Sequence, residues 1–395
     1  MTMNESTHEI ESTPQSEGRT STGRSLRTEE MVVNMGPQHP STHGVLRLEV
    51  VLDGEIVVDV VPHMGYLHRC FEKHCEHMTN YQHVIPYIDR MDYTASMTNE
   101  QAFVVAMERM LKIEVSDRVH YIRIIMAELQ RIASHLIAIG TFGIDMGAFT
   151  PFLYCFRDRE RILDMFENTC GARLLYNYMW VGGLSHDLPP GFVETAKQFC
   201  VDFKKSLKDL NDLLNYNEIF IKRTANVGVL PKDLAINYAC SGPMLRGSGV
   251  DWDLRRDDPY TLYHKFDWEV VVGKGEIGTV GDVWNRHMVR QREMEQSVFI
   301  IEQALATLPE GDVQKTIPKR IRPAPGDIYT RIESPRGELG FYIIAEESVT
   351  PYRIKARAPA FVNLSVINEI SKGAMLADLV AIMGSIDIVL GEVDR

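Results

Sequence analysis

The chain has no C-x-x-C pair. Its six cysteines (Cys70, Cys75, Cys155, Cys170, Cys200 and Cys240) are scattered, which excludes an iron–sulfur loop of the usual thiolate spacing. The polar N-terminus has no apolar signal-peptide core, so the thiols are expected to be reduced, in a cytoplasmic setting. There is no G-x-S-x-G elbow and no other nucleophile signature, so Ser/His/Asp catalysis has no support. There is no Walker pattern either. Gly273, Gly275 and Gly278 form the nearest glycine-rich stretch, without a G-x-G-x-x-G opening a helix. If the protein is a redox protein, its nicotinamide, flavin and iron–sulfur sites must lie on other chains. Cations are in the minority, 42 Lys and Arg against 54 Asp and Glu for a net charge of −12, which argues against the basic face of a nucleic-acid binder.

Long uninterrupted apolar runs are also missing. The nearest, Leu136 to Tyr154, carries Asp145, is punctuated by Gly140, Gly143, Gly147 and Pro151, and runs into the charged stretch Arg157–Arg161. A membrane span wants about 20 apolar residues with few or no charges. The segment is therefore expected to be a buried helix end leading into an apolar loop, with Asp145 in need of a partner.

What is present is an ordinary globular composition, 45% hydrophobic and 24% charged. Residues 1–30 are polar and Ser/Thr-rich and are expected to form a flexible arm. From Met31 to about Val61 the chain is β-like, with two apolar runs joined by Asp53-Gly54, a hairpin signal. Apolar positions spaced three and four apart predict helices over Arg118–Ile139 (capped by Ser116 or Asp117), Phe192–Leu214 and Val283–Leu308. Residues 309–327 are Pro-rich and charged, β character returns from 328, and a short apolar helix is expected near Leu376–Met383. The fold class is α+β, a central helical bundle flanked by β-structure from both ends of the chain. The expected organisation beyond the arm is a single domain, 31–395. Within it, 31–95 holds the hairpin and site loops, 96–308 the bundle, 309–327 a linker loop and 328–395 a β/α part returning to the core.

Gly36-Pro-Gln-His39-Pro-Ser-Thr-His43-Gly44 puts two imidazoles four residues apart in a segment whose prolines forbid an ordinary helix. The spacing resembles paired zinc ligands on a helix, but the segment is loop and lacks the H-E-x-x-H glutamate, so no metal is expected there. His68, Cys70, His74, Cys75 and His77 are denser. With Glu72 and Lys73 among them, they read more simply as a solvated helix with scattered thiols. What remains is acid–base material: His43, the run Asp89-Arg90-Met91-Asp92-Tyr93, and Asp145. A histidine or a tyrosine can hold a transferable proton at neutral pH.

The stretches GPQHPSTHGVLR, GYLHRCFEK, DRMDY, NEQAF, ELQRIASHL, DMGAFTPF, SGPMLRGSGVDWDLR, ESPRGELGFYI, RAPAFVNL and GSIDIVLGEVDR occur in order from residue 31 to the last residue. Together they resemble the 49-kDa-type, quinone-site subunit family of respiratory complex I (NADH:quinone oxidoreductase), itself similar to the nickel–iron hydrogenase large subunit. Hydrogenases hold their metals with R-x-C-x-x-C and D-P-C-x-x-C. Here those positions carry Asp92, Ala95, Val389 and Glu392, and without thiolates no nickel–iron centre can be held. The resemblance implies a hydrogenase-large-subunit-like fold whose vacated cavity takes a quinone headgroup. His43 and Tyr93 would hydrogen-bond its two carbonyl oxygens, Asp145 would pair with His43, and Thr141 would line a wall. His43, Tyr93 and Asp145 would be the catalytic acids.

It further implies electrons from a [4Fe–4S] cluster on a neighbouring subunit, with FMN and the remaining clusters on partner subunits. A membrane subunit would stand at the quinone channel entrance, and the chain would be peripheral on the cytoplasmic side of the cell inner membrane. This chain itself is expected to bind no metal and no nucleic acid. Cys70, His74 and Met78 depart from the family pattern beside Arg69, which bears on packing there rather than on the proton donors. Two rival readings are a hydrogenase-type catalytic chain, disfavoured by the missing cysteines, and a purely structural docking chain.

Overall fold

The computed structural model describes residues 17–19, 25–27, 29–37 and 44–395; His39 and His43 lie outside them. Within the N-terminal arm, Glu17–Arg19 and Ser25–Arg27 pair antiparallel.

The first sheet is a meander of β1 (Met31–Met35), β2 (Arg47–Asp53) and β3 (Ile56–His63). In β2, Leu48, Val50 and Leu52 point inward while their neighbours are partly exposed, the period of a sheet with one buried face. Asp53 pairs with Ile56, so the tight turn is Gly54-Glu55, one residue later than the Asp53-Gly54 signal suggested. Gly54 takes the positive φ that such a turn requires.

The helical middle is built on α2 (Ser96–Leu111), α3 (Asp117–Asp145), α4 (Phe149–Cys170), α5 (Phe192–Leu210) and α6 (Val283–Ala306), preceded by the short α1 (Phe71–Glu76). The Ser116 hydroxyl caps α3 by accepting from the Val119 N–H at 3.3 Å. At 29 residues α3 is about 44 Å long and packs against α2, α4, α6 and the later α7 (Leu376–Ile386). α5 buries Phe192, Ala196, Phe199, Phe203, Leu207 and Leu210, and the Phe192–Leu214 pattern continues as a single wide turn at Asn211–Asn215.

The segment Leu136–Tyr154 is not a helix end followed by a loop. α3 runs to Asp145, and α4 starts at Phe149 after a three-residue turn. Gly140 and Gly143 do not break α3. They let α4 and its leading turn come close, since a Cβ on Gly140 would lie 3.2 Å from Cys155 and one on Gly143 3.2 Å from the Ala148 carbonyl. Among the described residues, no helix is long and apolar enough to cross a membrane.

The second sheet, β4 (Gly326–Ser334), β5 (Gly337–Ala345) and β6 (Arg353–Arg357), is antiparallel throughout and covers α2. The two chain ends then meet. The Val57 N–H donates to the Ala374 carbonyl at 2.9 Å and the Leu376 N–H to the Glu55 carbonyl at 2.9 Å. The Asp394 carboxylate, ending α8 (Leu390–Asp394), accepts from the Gly65 and Leu67 N–H groups at 2.8 and 2.7 Å. The fold is α+β, with the helices central and the sheets contributed from either end. This closure brings residues 44, 93 and 387–389 to one place.

The interior is unusually ionic. Glu128 and Arg131 of α3, Arg246, Asp253, Arg255, Glu293 of α6 and Glu333 of β4 are all buried and linked by ion pairs of 2.7–3.3 Å. Buried charges persist only when paired in this way.

Candidate functional site

Tyr93 sits in the turn between the short helix Ile85–Ile88 and α2. Its neighbours fix the turn. The Asp92 carboxylate accepts from the Thr94 N–H at 3.1 Å and from the Thr94 hydroxyl at 2.8 Å, the local closure that makes Asp a turn residue. Asn99 donates to the Asp92 carbonyl at 3.0 Å, and Gln130 of α3 donates to the Thr94 carbonyl at 2.6 Å. Both flanking residues are buried, whereas Tyr93 is 39% exposed. What exposes it is a cavity of about 220 Å³.

That cavity brings together Tyr93, Thr141 and Asp145, three of the four site residues expected from sequence, and Gly44, the residue after His43. His43 itself lies outside the described residues. Thr141 is on α3, its hydroxyl donating back to the Ile137 carbonyl at 2.8 Å, and Asp145 ends the same helix. Ile137, Ile144, Ile388 and Val389 supply apolar wall, and Arg336 and Asp387 complete it. The volume is below the roughly 300 Å³ at which drug-sized pockets begin, so it suits one ring-sized group. A larger opening of about 460 Å³ lies at the C-terminal end of α2, among Arg109, Lys112, Glu114 and His120. Its lining mixes exposed charges with the buried, ion-paired Glu108 and apolar residues, and among the described residues it includes none of the site residues expected from sequence.

Sequence reasoning assigned no role to Arg336 or to Asp387. Arg336 is at the β4–β5 turn and is almost wholly buried. It donates to Asp92 at 2.6 Å and to Ser134 at 3.0 Å, and it meets both the carbonyl and the carboxylate of Asp387, at 2.8 and 3.1 Å. Its partners are 244, 202 and 51 residues away in the chain, so no local pattern announces it. The Asp387 carboxylate also lies 3.9 Å from Arg290 of α6.

These charges act on the titratable groups. Burial and the adjacent Asp92 charge push the Tyr93 phenol above its ordinary value, with Arg336 and Arg69 working the other way. Tyr93 therefore holds its proton at neutral pH. Glu392 is buried, accepts from the Ala360 N–H at 3.0 Å, and is pushed up to about 8 by burial and the charge on Asp92. This favours its protonated form at neutral pH.

The four positions that the hydrogenase resemblance matched to cysteines hold an ion-paired Asp92, a buried Ala95, a buried Val389 and a buried Glu392 pushed toward its protonated form. Among the described residues, no group of three or more His, Cys, Asp or Glu side chains could hold a metal ion. In the His68–His77 stretch, His68 bonds the Asp394 carbonyl at 2.6 Å, His74 stacks on Tyr87, and Phe71–Glu76 is helical.

The arrangement is a small, mostly apolar cavity with a protonated phenol, two aspartate side chains and a fixed guanidinium on its walls, suited to giving protons to a planar polar ring. The family described as the respiratory-chain NADH dehydrogenase 49 kDa subunit matches residues 145–324 and 314–395. A protein of Chlorobaculum tepidum, named as a subunit of NADH-quinone oxidoreductase, is 56% identical over 385 residues, covering 96% of each chain. Proteins of the same name from Chlorobium luteolum and Chlorobaculum parvum are 57% and 55% identical, over 94% and 98% of this chain and 95% and 97% of their own. Similarity at this level along nearly the whole length means that the chain belongs to the family of the 49 kDa subunit of the respiratory-chain NADH dehydrogenase.

Proposed function

We propose that this chain is the quinone-reducing core subunit of a proton-translocating NADH:quinone oxidoreductase, and that the cavity beside Tyr93 receives the quinone headgroup. The observation that carries the reading is the meeting of Tyr93, Thr141, Asp145 and the neighbour of His43 around one ring-sized space. The relatives' name puts NADH and quinone at the two ends of the reaction. With no nucleotide-binding motif here, NADH oxidation, FMN and the iron–sulfur clusters belong to partner subunits. The electron donor to the headgroup is then a [4Fe–4S] cluster on a neighbouring chain, and a membrane subunit admits the quinone. The chain is peripheral, on the cytoplasmic side of the inner membrane, and residues 31–395 form one hydrogenase-large-subunit-like unit.

Reduction of quinone to quinol takes two electrons and two protons. Tyr93 donates one proton from its phenol to one carbonyl oxygen, becoming tyrosinate. His43 donates the other, and Asp145 orients the imidazole and stabilises its charged form. Thr141 shapes the wall opposite Tyr93. The apolar residues keep water from competing for the headgroup oxygens. Tyr93→Phe and His43→Ala test the assignment in the assembled complex. Each is expected to lower quinone reductase activity about 100-fold, the lower range for a lost general acid, while NADH oxidation by a water-soluble artificial acceptor continues. Full quinone reduction by both variants would mean that the chemistry lies elsewhere and that this chain only docks.

A further inference from the structure

Arg336 hydrogen-bonds both to the turn carrying Tyr93 and to the segment that contributes Asp387, Ile388 and Val389 to the cavity wall. Its Nη1 reaches Asp92, next to Tyr93, and Ser134 of α3; its Nε and Nη2 reach Asp387, the residue before Ile388 and Val389. We infer that Arg336 is a positioning residue for quinone reduction, its planar fork setting the separation between Tyr93 and the Asp387–Val389 wall. This rests on the quinone-site reading above.

The tie is useful only if its own base is rigid, and the backbone at Arg336 is held from several sides. Ser334 pairs with Gly337, leaving Pro335-Arg336 as a two-residue turn, and the Ser334 hydroxyl donates across it to the Gly337 carbonyl at 2.9 Å. The Arg336 carbonyl accepts from Asn363 at 3.1 Å. Gly337 is at φ 131, where a Cβ would come within 2.4 Å of the Ser241 hydroxyl, and a Cβ on Gly242 would come within 2.5 Å of the Arg336 carbonyl. The turn is therefore clamped against residues 241–242, and the side chain projects from a fixed point. A site held by a supporting layer of this kind keeps its geometry to fractions of an ångström.

The chemistry needs a guanidinium. Nη1 and Nη2 serve carboxylates on two different elements while Nε serves a carbonyl, a set that only a planar, multiply donating group can satisfy. A lysine ammonium could reach one carboxylate and would leave the other without its close partner, Asp92 with no other ion pair among the described residues or Asp387 with only Arg290 at 3.9 Å. The charged and titratable groups around Tyr93 are Asp92 on its own turn, Arg336 and Asp387 on other elements, Asp145 on the cavity wall, Arg69, and Glu392, which feels the Asp92 charge. Of these, Arg336 and Arg69 make the phenol a stronger acid.

The test is Arg336→Lys in the assembled complex, alone and combined with Tyr93→Phe. Alone, it is expected to lower kcat for quinone reduction at least about tenfold, since misplacement by an ångström can cost 100-fold. In the Tyr93→Phe background it should change the residual rate less than about twofold, because its effect passes through Tyr93. The alkaline limb of the pH profile should also move to higher pH as the guanidinium leaves the phenol. Wild-type kcat, KM and pH profile, or an equal loss in both backgrounds, would overturn the inference. If Arg336→Lys does not assemble, Ser134→Ala removes one of the contacts and is read in the same two backgrounds, with a loss confined to the Tyr93-containing complex expected and an equal or absent loss contrary. Full activity of Tyr93→Phe would instead remove the quinone-site reading itself, whatever Arg336 does.

Discussion

Gly384 of α7 faces Asp145 at contact distance: a Cβ there would lie 3.4 Å from the Asp145 carboxylate, an ordinary contact, but 2.7 Å from the neighbouring Phe142 ring, which leaves it no room. Asp145 lines the Tyr93 cavity, so this contact links the packing of α7 on α3 to the site. Gly384→Ala should force Phe142 aside and cost about 1–3 kcal/mol, the usual penalty for overpacking a filled core. The expected result is a lower yield of assembled complex and a raised KM for quinone. An unchanged KM in the complex that does assemble would mean that α7 can move without disturbing Asp145.

Glu392 gives a prediction with a defined pH sign. Its folded-state value is about 8, against an ordinary glutamate value of 4.5. Between those limits the folded protein keeps a proton that the unfolded chain has released, so this group's contribution to stability falls as pH rises through the window. Glu392→Gln keeps an acceptor for the Ala360 N–H and never ionises. It should leave assembly intact at pH 7 and slow thermal inactivation of the complex at pH 9 relative to wild type. Faster inactivation at pH 9 would show that the ionised form is the stabilising one.

The buried ion pairs and the surface ones should respond very differently. Glu128 is fully buried between Arg131 and Arg255 and also accepts from Tyr263 and Ser297 at 2.8 and 2.6 Å. Glu128→Ala leaves the buried Arg131 guanidinium without its carboxylate and takes one of the two carboxylates from Arg255, which keeps Asp253, and breaking a buried pair costs about 3–5 kcal/mol. Little assembled complex is expected. Lys204→Ala breaks a 2.7 Å pair with Glu302 on the surface and should cost about 0–1 kcal/mol. Comparing the amounts of assembled complex separates the two.

Much of the fold was legible because its signals are local. The Phe192, Phe199, Phe203 and Leu207 stripe, the Ser116 cap and the alternation of β2 all depend on neighbours within one or two turns. The start of α4 was not legible, because Gly140, Gly143 and Pro151 read as breakers. Pro151 is in the first turn of α4, where a missing N–H costs nothing, and the glycines serve close packing that only the second helix explains. At the site, Tyr93, Thr141 and Asp145 were reachable through family resemblance, and the structure places them on one cavity. Arg336 was not, since its importance comes from three partners that only the folded chain supplies.

Asp89 and Glu100 form a second buried acid pair, away from the cavity walls, whose stability role can be separated from catalysis. Asp89 accepts from the Asn177 N–H at 3.0 Å, and Glu100 accepts from the Tyr178 and Met179 N–H groups at 2.9 and 2.6 Å. Together they hold residues 177–179 against α2. Burial and their mutual charge push Glu100 well above the ordinary range, and burial lifts Asp89 to about 6. Both shifts favour the protonated form of the pair, and like Glu392 it favours the folded state most strongly at low pH. Glu100→Gln can donate to Asp89 from its amide nitrogen and accept both backbone donors on its oxygen, so it should preserve assembly and flatten the loss of thermal stability as pH rises above the ordinary glutamate range. Glu100→Ala leaves the Tyr178 and Met179 N–H groups without their acceptor, at about 1–3 kcal/mol each, and should sharply lower the yield. Equal damage from both substitutions would mean that the negative charge, not the hydrogen-bonding capacity of residue 100, is what holds residues 177–179.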